Sequence, residues 1–326
     1  MTDSRNHQSS TVEFVFFFVA VLIFILAPGA YALSLARERV RYTTLKRVWW
    51  WWAISGLVFA AAVFASAFKG IEGIADQLWY LSSVLLLCPL ISALGARRPG
   101  DVAWVFFVIV PLILVLEWPA ISLMMTSDIN ESLVLQTPAV IGVFLVLLMG
   151  AGNYLGTRFT WAVILFSAAV LCFVLSVCEL RPDGLTSMQL RYVGCIPLVI
   201  STYTLITSLW RWNTSEVGIT TVWSDFRDSY GIVWSRRVAD RFNLMARREK
   251  LKLRIRIDGP MVENGTEEVE VKADVSATSN SNKSIVVHTM REEQILRWIL
   301  RRFVDEEWLN ARFGGATENT EPNQGL

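Results

Sequence analysis

The 326 residues include only two histidines and four cysteines. His7 lies in a polar amino-terminal segment and His288 in the carboxy-terminal third, so no pair of histidines can flank one porphyrin. A bis-histidine haem site within one chain is thereby excluded, although tryptophan-rich membrane segments invite the idea. The same scarcity excludes histidine-based zinc hydrolase chemistry from the apolar part of the chain. Cys88, Cys172, Cys178 and Cys195 fall in apolar runs without CxxC or Cys/His spacing, so each reads first as a small buried apolar residue. Also missing are a Gly-rich phosphate loop, a kinase or cyclase signature and a nucleophilic elbow. With no catalytic pair to assemble, the expectation is a protein that is not an enzyme and needs no metal or cofactor.

Charge is scarce too, at 18% of residues against 53% hydrophobic, where soluble chains carry about 25% charged residues. The apolar residues gather into seven nearly charge-free runs, at about 14–36, 48–68, 78–94, 102–125, 133–155, 159–180 and 192–212. Each approaches the ~20 residues that cross roughly 30 Å of hydrocarbon as a helix. The runs are continuous rather than alternating, which excludes a β-barrel. The fold class expected is an α-helical membrane protein: a short extracytoplasmic segment (1–13), a seven-helix bundle (14–212), a cytoplasmic α+β or partly amphipathic helical module (213–313) and a disordered tail (314–326). Ala30-Tyr31-Ala32 has the spacing of a signal-peptidase site, but Asp3 and Glu13 deprive the preceding segment of the usual positive charge. The first run therefore reads as a retained span.

Alternate loops of seven spans carry eight lysines and arginines on one side and four on the other. By the positive-inside rule the amino terminus is outside and the tail cytoplasmic, as in a multi-pass protein of the plasma (inner) membrane. The stretch "RVWWWWAIS" fits this orientation. Consecutive helical residues are about 100° apart, so Trp49, Trp50, Trp51 and Trp52 cannot line one pocket. They form an interfacial collar behind Lys46 and Arg47, with Trp210 and Trp212 at the same membrane face.

Glu117, about 24 Å along its helix from Asp101, is the one ionisable group well inside a span. It reads either as an interfacial carboxylate beside Trp118 or as a proton or cation site at the Pro119 kink. "STYTLITS" (201–208) offers Ser201, Thr204 and Ser208 as a polar face, or as hydroxyls that satisfy themselves on carbonyls one turn back. Small residues in 55–67 and at Gly152 and Gly156 have the spacing of close helix contacts. Six prolines, Pro28, Pro89, Pro111, Pro119, Pro138 and Pro197, fall within spans and mark kinks. Cys178 and Cys195 sit at similar depth across one hairpin and form a candidate disulfide.

In the tail, residues 220–250 are basic and aromatic, with Val222, Phe226, Tyr230, Val233, Val238, Phe242 and Met245 on a helical stripe. That suits either a helix lying on anionic inner-leaflet lipids or the core helix of a small domain. "LKLRIRI" (251–257) and "VEVKADV" (269–275) alternate as strands of a hairpin, and "SIVVH" (284–288) reads as a third strand. One last helix over 291–313 places Ile295, Trp298, Ile299 and Phe303 together. The tail lacks an interleaved aromatic and basic platform for nucleic acid. The expected partners are therefore the bilayer and a membrane or cytoplasmic protein. A non-enzymatic anchor, complex subunit or regulator fits these features, and a permease or channel for a neutral or weakly polar solute is the alternative.

Overall fold

The computed structural model describes residues 19–68, 71–126, 132–211, 217–264, 267–270 and 282–314. The amino-terminal segment, Trp212, the second half of the 269–275 strand and the final tail lie outside them. The chain divides into two compact units, Met1–Trp212 and Asn213–Leu326.

The first unit is helical. Five of its helices are apolar and long enough to cross a membrane: α1 (Val19–Val40), α2 (Lys46–Ala65), α3 (Glu72–Leu94), α4 (Val102–Met125) and α7 (Ser187–Trp210). Two more, α5 (Thr137–Gly152) and α6 (Thr160–Leu175), are apolar but only 16 residues long. At 1.5 Å per residue each covers about 24 Å, less than the hydrocarbon thickness. The apolar runs expected there continue past the helices into turns at Asn153 and Ser176.

α3 is the axis of this unit. Of its most apolar window 78% is buried, against 17–33% for the other four long helices, and it packs on α2, α4, α5 and α6. Its closest partner is α2, whose Ser55 donates to the Leu85 carbonyl at 2.7 Å. Two prolines distort helices in the same way. Pro28 and Pro111 each follow a widened π turn, Leu22–Leu26 and Val105–Ile109. A proline ring clashes with the carbonyl four residues back and donates no N–H, and a wider turn accommodates both. Pro138 makes no kink, because it occupies the first turn of α5, where no amide donor is needed.

The second unit has its own core. α8 (Ile219–Arg248) is interrupted at Gly231, whose φ of 78° and ψ of −178° suit a residue without Cβ. Val222, Phe226, Tyr230, Val238 and Phe242 are buried, so the stripe seen in the sequence faces the core of a domain rather than lipid. Val233, assigned to that stripe, is exposed, because the break at Gly231 re-phases the helix. Phe303 closes the cluster edge-on against Phe226, Tyr230 and Trp234 at 5.1–5.3 Å between centroids.

The sheet is antiparallel, in the order β1 (Leu253–Ile255), β2 (Pro260–Asn264), β3 (Glu267–Glu270). β1 therefore pairs with β2, Leu253 opposite Val262, rather than directly with the 269–275 segment, and Asn264 ends in the β2–β3 turn. Its outer edge is covered by side chains: Asn243 both donates to the Ile255 carbonyl and accepts from the Ile255 amide at 2.8 Å, and Glu292 accepts from the Leu253 amide. "SIVVH" is not a strand. It belongs to α9 (Asn282–Leu300), where the following charged, helix-favouring residues set the local conformation. The last helix breaks after Leu300, and α10 (Glu306–Phe313) follows.

Candidate functional site

The residues singled out in the sequence do not converge. Glu117 is 7% exposed and so buried in the helical unit, while its neighbour Trp118 is exposed. The Tyr80 hydroxyl donates to the adjacent Leu116 carbonyl, and Glu117 Oε1 has no hydrogen-bond partner. Gln77 Nε2 and Ser82 Oγ on α3 are likewise buried without one.

The α7 hydroxyls are occupied elsewhere. Ser201 donates to the Ala162 carbonyl of α6 at 2.7 Å, Thr204 to Ile200 of its own helix at 2.7 Å, and Ser208 to Thr204 at 2.8 Å. Thr202 and Thr207 also bond carbonyls of their own helix. The run satisfies its donors on backbone carbonyls and ties α7 to α6.

The four tryptophans diverge as helical geometry requires. Trp49 donates to the Leu33 carbonyl of α1 at 2.8 Å under the Arg37 guanidinium. Trp50 is exposed, Trp51 packs with the α3–α4 cluster, and Trp52 meets Phe166 of α6 edge-on at 5.1 Å. Trp210 is exposed and donates to the Tyr31 hydroxyl. Lys46 opens α2 and is exposed; Arg47 follows half-buried. Cys178 and Cys195, the candidate disulfide pair, are both free and buried. The Cys178 sulfur accepts from the Leu180 amide.

One constellation was not foreseen. Asp76 and Arg191, each the fifth residue of its helix, form a buried ion pair between α3 and α7. Arg191 also donates from Nε to Ser176 Oγ at 3.4 Å, and its guanidinium stands 5.3 Å from the centroid of the Trp79 ring. Trp79 is fully enclosed. Its ring meets Phe59 and Phe173, and its N–H goes to Ser66 at 2.9 Å. This end of the bundle is further laced by Leu135, which exchanges backbone hydrogen bonds with Val177 and Glu179. The signal in the sequence is a pair of opposite charges just before the third and seventh apolar runs, at the same end of two helices that run in the same direction. The arrangement is a clasp between α3 and α7 at one end of the bundle.

The second unit repeats the device inside its core. Arg312 Nε donates to Asp225 Oδ2 at 2.7 Å, both side chains being almost wholly enclosed. On its surface Arg291 donates to both carboxylate oxygens of Glu249, at 2.6 and 2.9 Å, which holds the Glu249 carboxyl below its ordinary range. A depressed carboxyl contributes stability at neutral pH that is lost as pH falls through its folded value. The melting-temperature gap between the full chain and its Glu249→Gln variant is therefore expected to narrow below about pH 4. A gap unchanged down to pH 3, on this scale of carboxyl values, would contradict that assignment.

Among the described residues no group of three or more His, Cys, Asp or Glu side chains could hold a metal. A surface groove between α5 and α6 is lined by Val140, Ile141, Phe144, Leu171, Val174 and Leu175, all apolar. No family model, curated protein or solved structure matches the chain.

Proposed function

We propose that the chain is a seven-span membrane anchor that presents a cytoplasmic interaction module, acting as a subunit or regulator of a membrane complex. α5 and α6 complete the seven spans with their flanking apolar residues, and the excess of lysine and arginine on alternate loops sets the module on the cytoplasmic side. The observation that carries this reading is the division of labour between the units. In the first, the α7 hydroxyls and the Asp76–Arg191 pair are engaged in helix contacts. The second maintains a separate aromatic core and shows exposed Val217, Leu244 and Trp298 at its surface.

A second reading, a permease for a neutral or weakly polar solute, is favoured by the unpartnered buried Oε1 of Glu117. One experiment separates them. The full chain is cross-linked in native membranes, purified, and its cross-links mapped by mass spectrometry. The anchor reading expects a reproducible stoichiometric partner whose cross-links fall on residues 217–314. A partner-free chain whose reconstituted vesicles take up small neutral solutes, with uptake abolished by Glu117→Gln, would overturn it in favour of the permease.

A further inference from the structure

The outward face of α8 is patterned as strictly as its buried one. Arg237, Arg241, Leu244 and Arg248 are all exposed, and at 100° per residue they lie within about 60° of one another around the helix. Their span along the axis is about 16 Å. Val238, Phe242 and Ala246, centred about 130° away around the helix, are buried, which fixes the orientation of the stripe. Trp298 of α9, 47% exposed, stands beside it with the Arg241 guanidinium 5.1 Å from its ring centroid and that of Arg302 at 6.0 Å. Arg237 lies similarly over Trp234 at 5.0 Å. Neighbouring carboxylates are engaged elsewhere, Asp240 with Arg236 and Glu249 with Arg291. Arg237, Arg241, Arg248 and Arg302 form no ion pair among the described residues. The surface is thus cationic, with a tryptophan and a leucine (Leu244, 53% exposed) at the same level.

We propose that this face docks the second unit onto an anionic phospholipid leaflet, the arginines meeting lipid phosphates and Leu244 and Trp298 entering the headgroup–acyl boundary. The inference rests on the reading of the chain as membrane-embedded, and it assigns the lipid contact to the outward face rather than to the apolar stripe. Charge complementarity selects the occupant: guanidinium groups bind phosphate oxygens bidentately, and tryptophan favours the headgroup region. Chain reach selects a bilayer over a freely diffusing polyanion. Nine residue steps separate Trp210, at the end of an apolar helix, from Ile219, and extended chain covers at most about 32 Å over that distance. A surface tethered so closely needs little intrinsic affinity. Each arginine near an anionic leaflet favours the docked state by about fivefold, so four give on the order of several hundredfold at low salt.

The test uses the full chain, its four native cysteines replaced by alanine, in nanodiscs of phosphatidylcholine with or without phosphatidylglycerol. A nitroxide is attached through Leu244→Cys, and in a second sample through Glu307→Cys on α10. At low salt, collision of the 244 label with a water-soluble nickel chelate is expected to fall at least about threefold in the anionic discs. The 307 label is expected to stay accessible. Protection should vanish near 1 M salt, where the screening length is about 3 Å. It should also vanish in Arg237→Glu, Arg241→Glu, with Arg237→Gln, Arg241→Gln as the milder pair if the reversal unfolds the chain. Equal accessibility in the two lipids overturns the proposal, as does protection of both labels together. Protection that needs added membrane extract, and no anionic lipid, assigns the face to a protein and overturns it too. Failure of the chain to stay with the discs is a distinct result: it overturns the membrane reading, and the docking with it.

Discussion

Arg312→Leu is expected to destabilise the carboxy-terminal unit by roughly 3–5 kcal/mol, the cost of removing one member of a buried ion pair. Asp225 is 1% exposed and Arg312 7%, so water cannot take over the role of the missing guanidinium. The arginine does more than neutralise. Its Nη1 donates to the Trp308 carbonyl, its plane lies 4.0 Å from the Trp308 ring centroid, and its own carbonyl accepts from the Gly218 amide. It thereby fastens α10 to the beginning of α8. Replacing both partners by leucine removes the stranded charge, so the double variant should be less destabilised than the sum of the singles. Pulse proteolysis of the full chain in urea, with cleavage mapped to residues 217–314, measures each. A single-variant loss below about 1 kcal/mol would put the pair in the class of weak surface bridges and refute its structural role.

Gly194→Leu is expected to disrupt the helical unit, and Gly152→Leu to leave it intact. A Cβ on Gly194 would lie 2.6 Å from Phe173 Cε1 and 2.9 Å from Cys172 Cβ, inside van der Waals contact. Phe173 cannot swing aside, because it is fully buried against Phe59 and Trp79. Overpacking by a single methyl group costs roughly 1–3 kcal/mol, and leucine adds three more carbons at the same point. Separation of α6 from α7 there would also pull Arg191, one turn earlier, away from Ser176 and Asp76. Gly152, by contrast, has nothing within 4 Å of its Cβ position. The yield of monodisperse chain in mild detergent, and its unfolding in increasing sodium dodecyl sulfate, should separate the two variants. Equal behaviour would contradict the assignment of the close approach to Gly194.

That contrast shows where the sequence is readable. Length and apolarity locate α1 to α4 and α7 because crossing hydrocarbon constrains every residue of a helix at once. Spacing of small residues pointed to Gly152 and Gly156, although the helices touch at Gly150 and Gly194. Small residues are common in such helices, and which of them meets a neighbour depends on helix rotation, a property of the assembled bundle. The divergence of Trp49 to Trp52 was legible, since it follows from the helix period alone. Asp76 and Arg191 are hidden for a different reason: both lie at span ends, where a charge bound for another helix has the same sequence signature as one in a loop. In the second unit the α8 stripe was visible. Its alternatives, lipid or core, were separated by the break at Gly231 and by Phe303, which is 61 residues beyond Phe242 in the chain and has no local signature.

The side chains that close the outer edge of β1 carry a further implication for assembly. A bare strand edge is a template on which a second copy of the chain, or an extended peptide, can add a strand. Asn243 reproduces the donor and acceptor of such a strand at Ile255, and Glu292 occupies the amide of Leu253. Growth of the sheet from that side is thereby blocked within the monomer.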